Sequence, residues 1–276
     1  MRRRPLNFAQ RMLRLLFAFY RAVKASLSLN LLAEAKSYCN KALEQSPDNE
    51  ELKKLANQID LRTSEHERRE AEVSKALAAA KDLVSAFEDR KLKMGKAMYQ
   101  ELTGLKKPFL DKDNILHWPV LFLYAEAMSS DFIEDFCETD MFTIHLDTMF
   151  SDDCPALPWD SKHAYTRDAL ELYYEAGSGV RLSKREVLRF LLEGTAASHL
   201  EQFGNEENDA DDKSTNETVT DDKPRWIKVN ERRRLYDILK EPNFIVPGIP
   251  VFYVVSKKSS FYQEFKSGNW APPQIA

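Results

Sequence analysis

Small and apolar side chains recur at helical spacing early in the chain. In NLLAEAKSYCNKALEQSPDN, Ala35, Cys39 and Ala42 fall at i, i+4 and i+7, and Pro47 follows. Small residues on one face let two helices cross closely, and a proline stops the second. The pattern predicts paired helices, FAFYRAVKASLSLN over 17–30 and LAEAKSYCNKALEQ over 32–45. Ala22 and Ala25 are the expected packing residues of the first. Asn30 sits at the turn, where its side chain tolerates a left-handed backbone. Asp48 and Glu51 have the spacing of a capping box for a third helix that starts amphipathic, with Leu52, Leu55 and Ile59. The stretch from Arg62 to Glu72 is polar all round, as in a solvent-exposed spacer held by i,i+4 ion pairs. Val73, Leu77, Leu83, Val84 and Phe87 then restore the apolar spacing. One long connecting helix over 50–104 is expected.

Beyond TGLKKP the pattern changes. ILHWPVLFLYAE is a continuous apolar run with aromatics, the mark of a buried strand. SSDFIEDFCETDMFTIHLDTMF carries Phe132, Phe136 and Met141 at helical spacing. PALPWDSKHAY reads as a loop and ALELYYEA as a strand. LSKREVLRFLLEGT has a Ser183–Glu186 capping box and a terminal Gly194, the two ends of a helix. RWIKV and GIPVFYVVS read as strands, RRRLYDILKEP and SSFYQEFKSGNW as short helices. The acidic, nearly apolar-free stretch over 204–223 is expected to be a disordered loop. The fold class expected is α+β: a helical N-terminal part, then a unit over 108–276 with a mixed or antiparallel sheet of about four strands flanked by helices.

Charge and cysteine usage narrow the function. A net charge of −4 over 276 residues argues against a dedicated nucleic-acid binder, which needs clustered positive surface. Cys39, Cys137 and Cys154 are widely spaced and odd in number, which favours a reducing compartment. No apolar run reaches the roughly 18 residues of a membrane span. The start is unusual, with six arginines by Arg21 and no acid before Glu34. It fits either an organelle transit peptide or an atypical basic lead-in, over 1–15, to a repeat helix. The unbroken register from Leu16 favours the second.

Catalytic chemistry finds little footing. Cys137 and His145, and Cys154 and His163, are spaced too far apart for the paired ligands of a tetrahedral metal site. No activating motif surrounds either cysteine. Glu134, Asp135, Glu138 and Asp140 read as the solvated face of a helix. With eight glycines in the chain, a glycine-rich phosphate loop is close to excluded. Asn216 lies in a glycosylation acceptor that a reduced protein would leave unused. Arg232, Arg233 and Arg234, near Lys228 and Lys240, form the densest basic cluster of the C-terminal half. They read either as a solvated helix end balanced by the acidic stretch or as a docking patch for an acidic partner.

Aligning Pro47 with the closing proline of a tetratricopeptide repeat, whose period is about 34 residues, places one repeat over 16–49. FYRAVKASLSLNLLAEAKSYCNKALEQSPDN resembles the last of three repeats in the tetratricopeptide repeat protein 4 family, eukaryotic co-chaperones of heat-shock protein 90. HWPVLFLYAEAMSSDFIEDFCETD, LPWD, YTRDALELYYEA and IPVFYVVSKKSSFYQEF resemble that family's C-terminal wheel domain. The resemblance covers Phe19 to Trp270 and implies a cytoplasmic, and also nuclear, adaptor without catalysis or cofactor. It implies repeats that grip the acidic tail of heat-shock protein 90 and a C-terminal domain that acts on clients or partners. In the fungal member these include translation elongation factor 2, and heat-shock protein 70 is a further family partner. The family's carboxylate clamp uses a lysine and an arginine four residues apart on the first helix of this repeat, so that both cations share one face. Here the arginine is Arg21, the lysine position is Phe17, and Lys24 lies one turn beyond. The resemblance therefore implies a shortened form, without two earlier repeats and with the clamp largely missing.

Overall fold

The computed structural model describes residues 8–104, 106–151, 153–177, 179–195, 225–268 and 270. The chain divides into two compact units, Met1–Lys75 and Ala76–Ala276. The acidic stretch and Asn216 lie outside the described residues.

In the first unit, α1 (Phe8–Ser28) and α2 (Leu32–Gln45) form a hairpin, followed by the start of α3 (Glu50–Asp89). Asn30 adopts φ 57°. The Leu31 N–H donates to the Ser26 carbonyl and the Asn30 N–H to that of Leu27, so the left-handed residue satisfies the carbonyls at the helix end. Val23, Leu27, Ala35, Cys39, Ala42, Leu52, Leu55 and Ile59 close the core. The packing residues of α1 are thus Val23 and Leu27 with buried Ser26, while Ala22 is half-buried and Ala25 exposed. The apolar arc of α1 is rotated from the alanines toward the larger side chains that α2 and α3 cover. The expected capping box is also displaced. Asn49 accepts from the N–H groups of Glu51 and Leu52, doing the work expected of Asp48.

The second helix of the hairpin stays close to α3 through the Cys39 thiol, which donates to the Leu52 carbonyl at 3.6 Å. The polar stretch of α3 is solvent-exposed and carries spaced pairs, His66–Glu70 and Arg68–Glu72. The helix ends at Asp89, well before residue 104. Lys91 turns to φ 56°, and the Leu92 and Lys91 N–H groups close onto the Phe87 and Glu88 carbonyls, the same motif as at Asn30.

The second unit holds α4 (Gln100–Thr103), β1 (Phe109–Leu110), β2 (Leu116–Tyr124), β3 (Ser129–Cys137), α5 (Phe142–Met149), β4 (Leu170–Ala176), α6 (Lys184–Leu192), β5 (Arg225–Lys228), α7 (Leu235–Leu239), β6 (Val251–Ser256) and α8 (Phe261–Lys266). The strands make one six-stranded sheet in the order β1-β2-β6-β4-β5, with β3 also paired to β2. The expected four strands are therefore six. Only β2–β6 is parallel, so the sheet is mixed. Burial on both faces explains the unbroken apolar runs of β2 and β6. One face packs Leu121, Tyr173, Val251, Tyr253, Val255 and Phe265. The other carries Phe122, Tyr174, Phe244 and Phe252 in ring-to-ring contact.

β3 corrects the expected helix around Phe132 and Phe136. It runs antiparallel to β2, and the register slips between Trp118 and Val120 because Phe136 faces Trp118 while Ile133 faces Val120. Pro119 has no N–H to offer the ladder, so β3 spends two residues, Glu134 and Asp135, across from it. The bulge puts Phe132 beside Leu121 on one face and Phe136 opposite Trp118 on the other. α6 begins as expected, with the Ser183–Glu186 capping box formed, and Gly194 follows it at φ 83°.

Candidate functional site

The first candidate surface is the outward strip of α1. Arg21 and Lys24 are exposed, as are Leu13 and Phe17, at 62% and 67%. The Lys24 ammonium lies 4.7 Å from the Tyr20 ring centroid. Its hydrogen bond to Tyr20 holds it above the ordinary lysine range. Two apolar anchors thus precede two cations along one helix, and the position four before Arg21 is apolar.

The second surface is the arginine run ahead of α7, and the fold sets its three residues differently. Arg233 pairs with Glu241 and donates to the Asp237 carbonyl at 2.8 Å, so it is a strut across α7. The Arg234 side chain is exposed and makes no ion pair among the described residues, while its backbone forms an isolated bridge with Met141, reinforced by Leu235 N–H to Asp140 and Tyr236 N–H to Glu138. Arg232 is exposed and lines a cleft of about 500 Å³ with Arg167, Lys228, Lys257, Glu171 and Glu231.

Within that cleft most charges are already committed. Arg167 bridges Asp147 and Glu231. Lys228 pairs with buried Glu171, which also accepts from the Tyr173 and Tyr262 hydroxyls. Burial pushes the Glu171 carboxyl up, but these three donors outweigh it and hold it below the usual carboxylate range. Arg232 and Lys257 have no ion pair among the described residues. They are the cations left to meet a partner. Sequence reading found Arg232 but missed Lys257 and Arg167, which are single charges far apart in the chain with no shared motif.

Cys137 ends β3 and His145 lies on α5, so they share no helix. Cys154 donates to the Thr148 carbonyl and accepts from the Ser151 hydroxyl. The nearby Asp160 carboxylate is occupied by the N–H groups of Ala164 and Tyr165. Among the described residues no three His, Cys, Asp or Glu side chains are grouped to hold a metal ion, and no helix is long and apolar enough to cross a membrane.

The acidic residues expected on one helix face are dispersed. Glu134 pairs with Lys106, Asp135 with His117, and Asp140 lies 3.5 Å from His145. Glu138 is buried and takes both Nε and Nη2 of Arg90, at 2.9 and 2.8 Å, together with the Leu116 N–H. Arg90 Nη2 also reaches the Asn114 carbonyl at 2.7 Å. This lock ties the end of α3 to the start of β2.

Residues 108–192 match the Cns1/TTC4 Wheel domain. Over 258 residues the chain is 26% identical to the tetratricopeptide repeat protein 4 homolog of Dictyostelium discoideum, covering 90% of this chain and 57% of that protein. It is 30% identical over 182 residues to tetratricopeptide repeat protein 4 of Mus musculus, covering 57% of this chain and 46% of that one. Among solved structures it resembles the Hsp90 co-chaperone Cns1 from Saccharomyces cerevisiae (delta69), with a TM-score of 0.55, 20% identity, and coverage of 93% of this chain and 71% of that chain. That likeness shows the fold. The chain spans about half the length of the curated relatives it matches.

Proposed function

We propose that this chain, a carrier of the Wheel domain of the Cns1/TTC4 family, serves as a co-chaperone adaptor that presents a client to heat-shock protein 90, with heat-shock protein 70 as a second chaperone partner. The Wheel match over 108–192 carries the reading. A relative of the same fold is titled an Hsp90 co-chaperone. The C-terminal unit is the client arm. Its unpaired Arg232 and Lys257 suit an acidic client surface, and translation elongation factor 2 is the client to try first. α1 is a weak chaperone arm, because an exposed phenylalanine precedes Arg21 where a clamp needs a second cation.

Binding of elongation factor 2 and of a heat-shock protein 90 tail peptide to the full chain tests this. The factor is expected to bind, and Arg232→Glu with Lys257→Glu to weaken it by roughly tenfold, since reversing rim charges slows encounter and adds repulsion. Factor binding that ignores both reversals would remove the client arm from this cleft. Low-micromolar binding of the tail peptide, abolished by Arg21→Ala, would overturn the weak chaperone arm.

A further inference from the structure

A second cleft of the Ala76–Ala276 unit has the opposite charge. It is about 490 Å³, with one wall made by the last turns of α3 and the other by β1 and the turn after it. Leu83 and Ala86 form its buried floor, and Phe109, 47% exposed, stands at its lip with its ring stacked on His117 at 4.8 Å. Asp82 and Asp89 look out from α3. Neither makes a salt bridge or side-chain hydrogen bond among the described residues. The nearest cation to Asp89 in sequence, Arg90, is spent on Glu138. The third carboxylate, Asp111, is occupied by the N–H groups of Asp113 and Ile115. Lys112 is the one cation of the lining.

From this we infer that the groove is a docking site for an extended peptide segment that carries two lysines or arginines four residues apart with an aliphatic residue midway between them. Asp82 and Asp89 are seven residues apart, two helical turns, so they share a face about 10 Å apart. In an extended chain residues i, i+2 and i+4 share a face, and i and i+4 lie about 13 Å apart, a span that two flexible cationic side chains close to about 10 Å. Such a segment sets its two cations over the carboxylates and the aliphatic group between them against Phe109, Leu83 and Ala86. A cationic segment without an apolar residue would leave Phe109 uncovered, and an apolar one without cations would desolvate both carboxylates unpaired. The site lies apart from the Arg232 cleft in both lining residues and charge, so it does not rest on the client arm placed there.

Fluorescence anisotropy with the full chain and a labelled peptide containing Lys-Ser-Leu-Ser-Lys tests the assignment. A peptide of the same composition with its lysines three apart, Lys-Ser-Leu-Lys-Ser, puts them on opposite faces of an extended chain and serves as the spacing control. The spaced peptide should bind more tightly than the control. Asp82→Asn with Asp89→Asn should weaken it about fivefold, the product of two exposed charge pairs. Phe109→Ser should weaken both peptides. Amide shifts in the nuclear magnetic resonance spectrum of labelled chain should map to residues 79–89 and 109–114. Asp82 and Asp89 are both exposed, and a circular dichroism spectrum of the double variant that matches wild type separates lost binding from unfolding. Equal binding of the two peptides, or an unchanged affinity in the double variant, overturns the proposal. A dimer of the free chain that dissociates in the double variant, with no peptide bound, overturns it in favour of a second copy as occupant.

Discussion

The two units cover their large side chains to different extents. In the Met1–Lys75 unit Val23, Leu27, Leu52, Leu55 and Ile59 close over the small residues Ala35, Cys39 and Ala42, while Leu13, Phe17, Leu29, Leu31 and Leu61 stay exposed. In the Ala76–Ala276 unit the rings around the sheet go inside: Trp118, Phe122, Phe136, Phe142, Phe252 and Phe265 are all fully buried. A helical hairpin packed against one further helix has two faces and covers one. A sheet flanked by helices closes on itself. The first unit therefore offers surface by architecture, whereas the second offers it only in clefts between elements.

The sharpest break of this contrast is the Arg90–Glu138 lock. Arg90→Ala leaves a buried carboxylate without its partner, and the expected loss is about 3–5 kcal/mol by denaturant unfolding. Lys36→Ala removes a pair of similar length, Lys36–Asp60 at 2.9 Å, but both ends are more than half exposed. It should leave the unfolding midpoint of the first unit almost unmoved. Equal effects would mean that Glu138 is solvated, and burial would lose its explanatory weight.

Next come volume changes of opposite sign. Phe122→Ala in the sheet should cost about 3–5 kcal/mol by leaving a cavity. Ala35→Leu in the hairpin should cost about 1–3 kcal/mol by forcing two helices apart. Hydrogen exchange gives the complementary measurement: amides of α1 should exchange far faster than those of β6. A tolerated leucine at position 35 would show that the hairpin is held by something other than close approach.

A smaller effect separates the sheet edge from the sheet centre. His117 lies on β2 with its Nδ1 2.6 Å from Asp135 and its Nε2 3.5 Å from Asp111. Burial lowers the pKa of its ring, but the two carboxylates outweigh this and raise it above 6.5. A group with a raised folded pKa stabilises fully below its unfolded value. It loses that contribution as pH rises through the folded value. Wild type should therefore lose a little stability as pH rises above about 6.5, and His117→Gln should flatten that part of the profile. A variant that keeps the full pH slope would place its origin elsewhere.

What the sequence announces and what it hides also divides along these lines. Asn30 and Lys91 close helices by the same left-handed motif, but only asparagine advertises the conformation, so the end of α3 was illegible. Phe132 and Phe136 fit a helical period equally well as they fit β3, and only the missing N–H of Pro119 hinted at the bulge that sends them to opposite faces. The Ser183–Glu186 box and the apolar runs of β2 and β6 are local signals and were plain. The Arg90–Glu138 pair and the setting of Arg232 beside Lys257 join residues far apart in the chain. No local pattern carries them. Of the expected partner surfaces, the arginine run was visible as charge, but that Arg233 is spent as a strut while Arg232 faces a cleft beside Lys257 belongs to the fold.

The smallest expected effect concerns the face that the hairpin leaves open. Phe17 and Arg21 are four residues apart on α1, so a lysine at position 17 would share a face with the arginine. Both positions are exposed, and exposed ion pairs gain little against water and salt. Phe17→Lys should then strengthen binding of a heat-shock protein 90 tail peptide by only a few-fold, measured by calorimetry at low ionic strength, and the gain should vanish as salt is raised. The substitution also removes an exposed aromatic ring, so it should reduce any self-association of the chain without shifting the melting of the sheet unit. A large gain in tail affinity would show that α1 holds most of a clamp by itself. No change at all, even at low salt, would show that the open face of α1 needs further surface around it before charge can matter there.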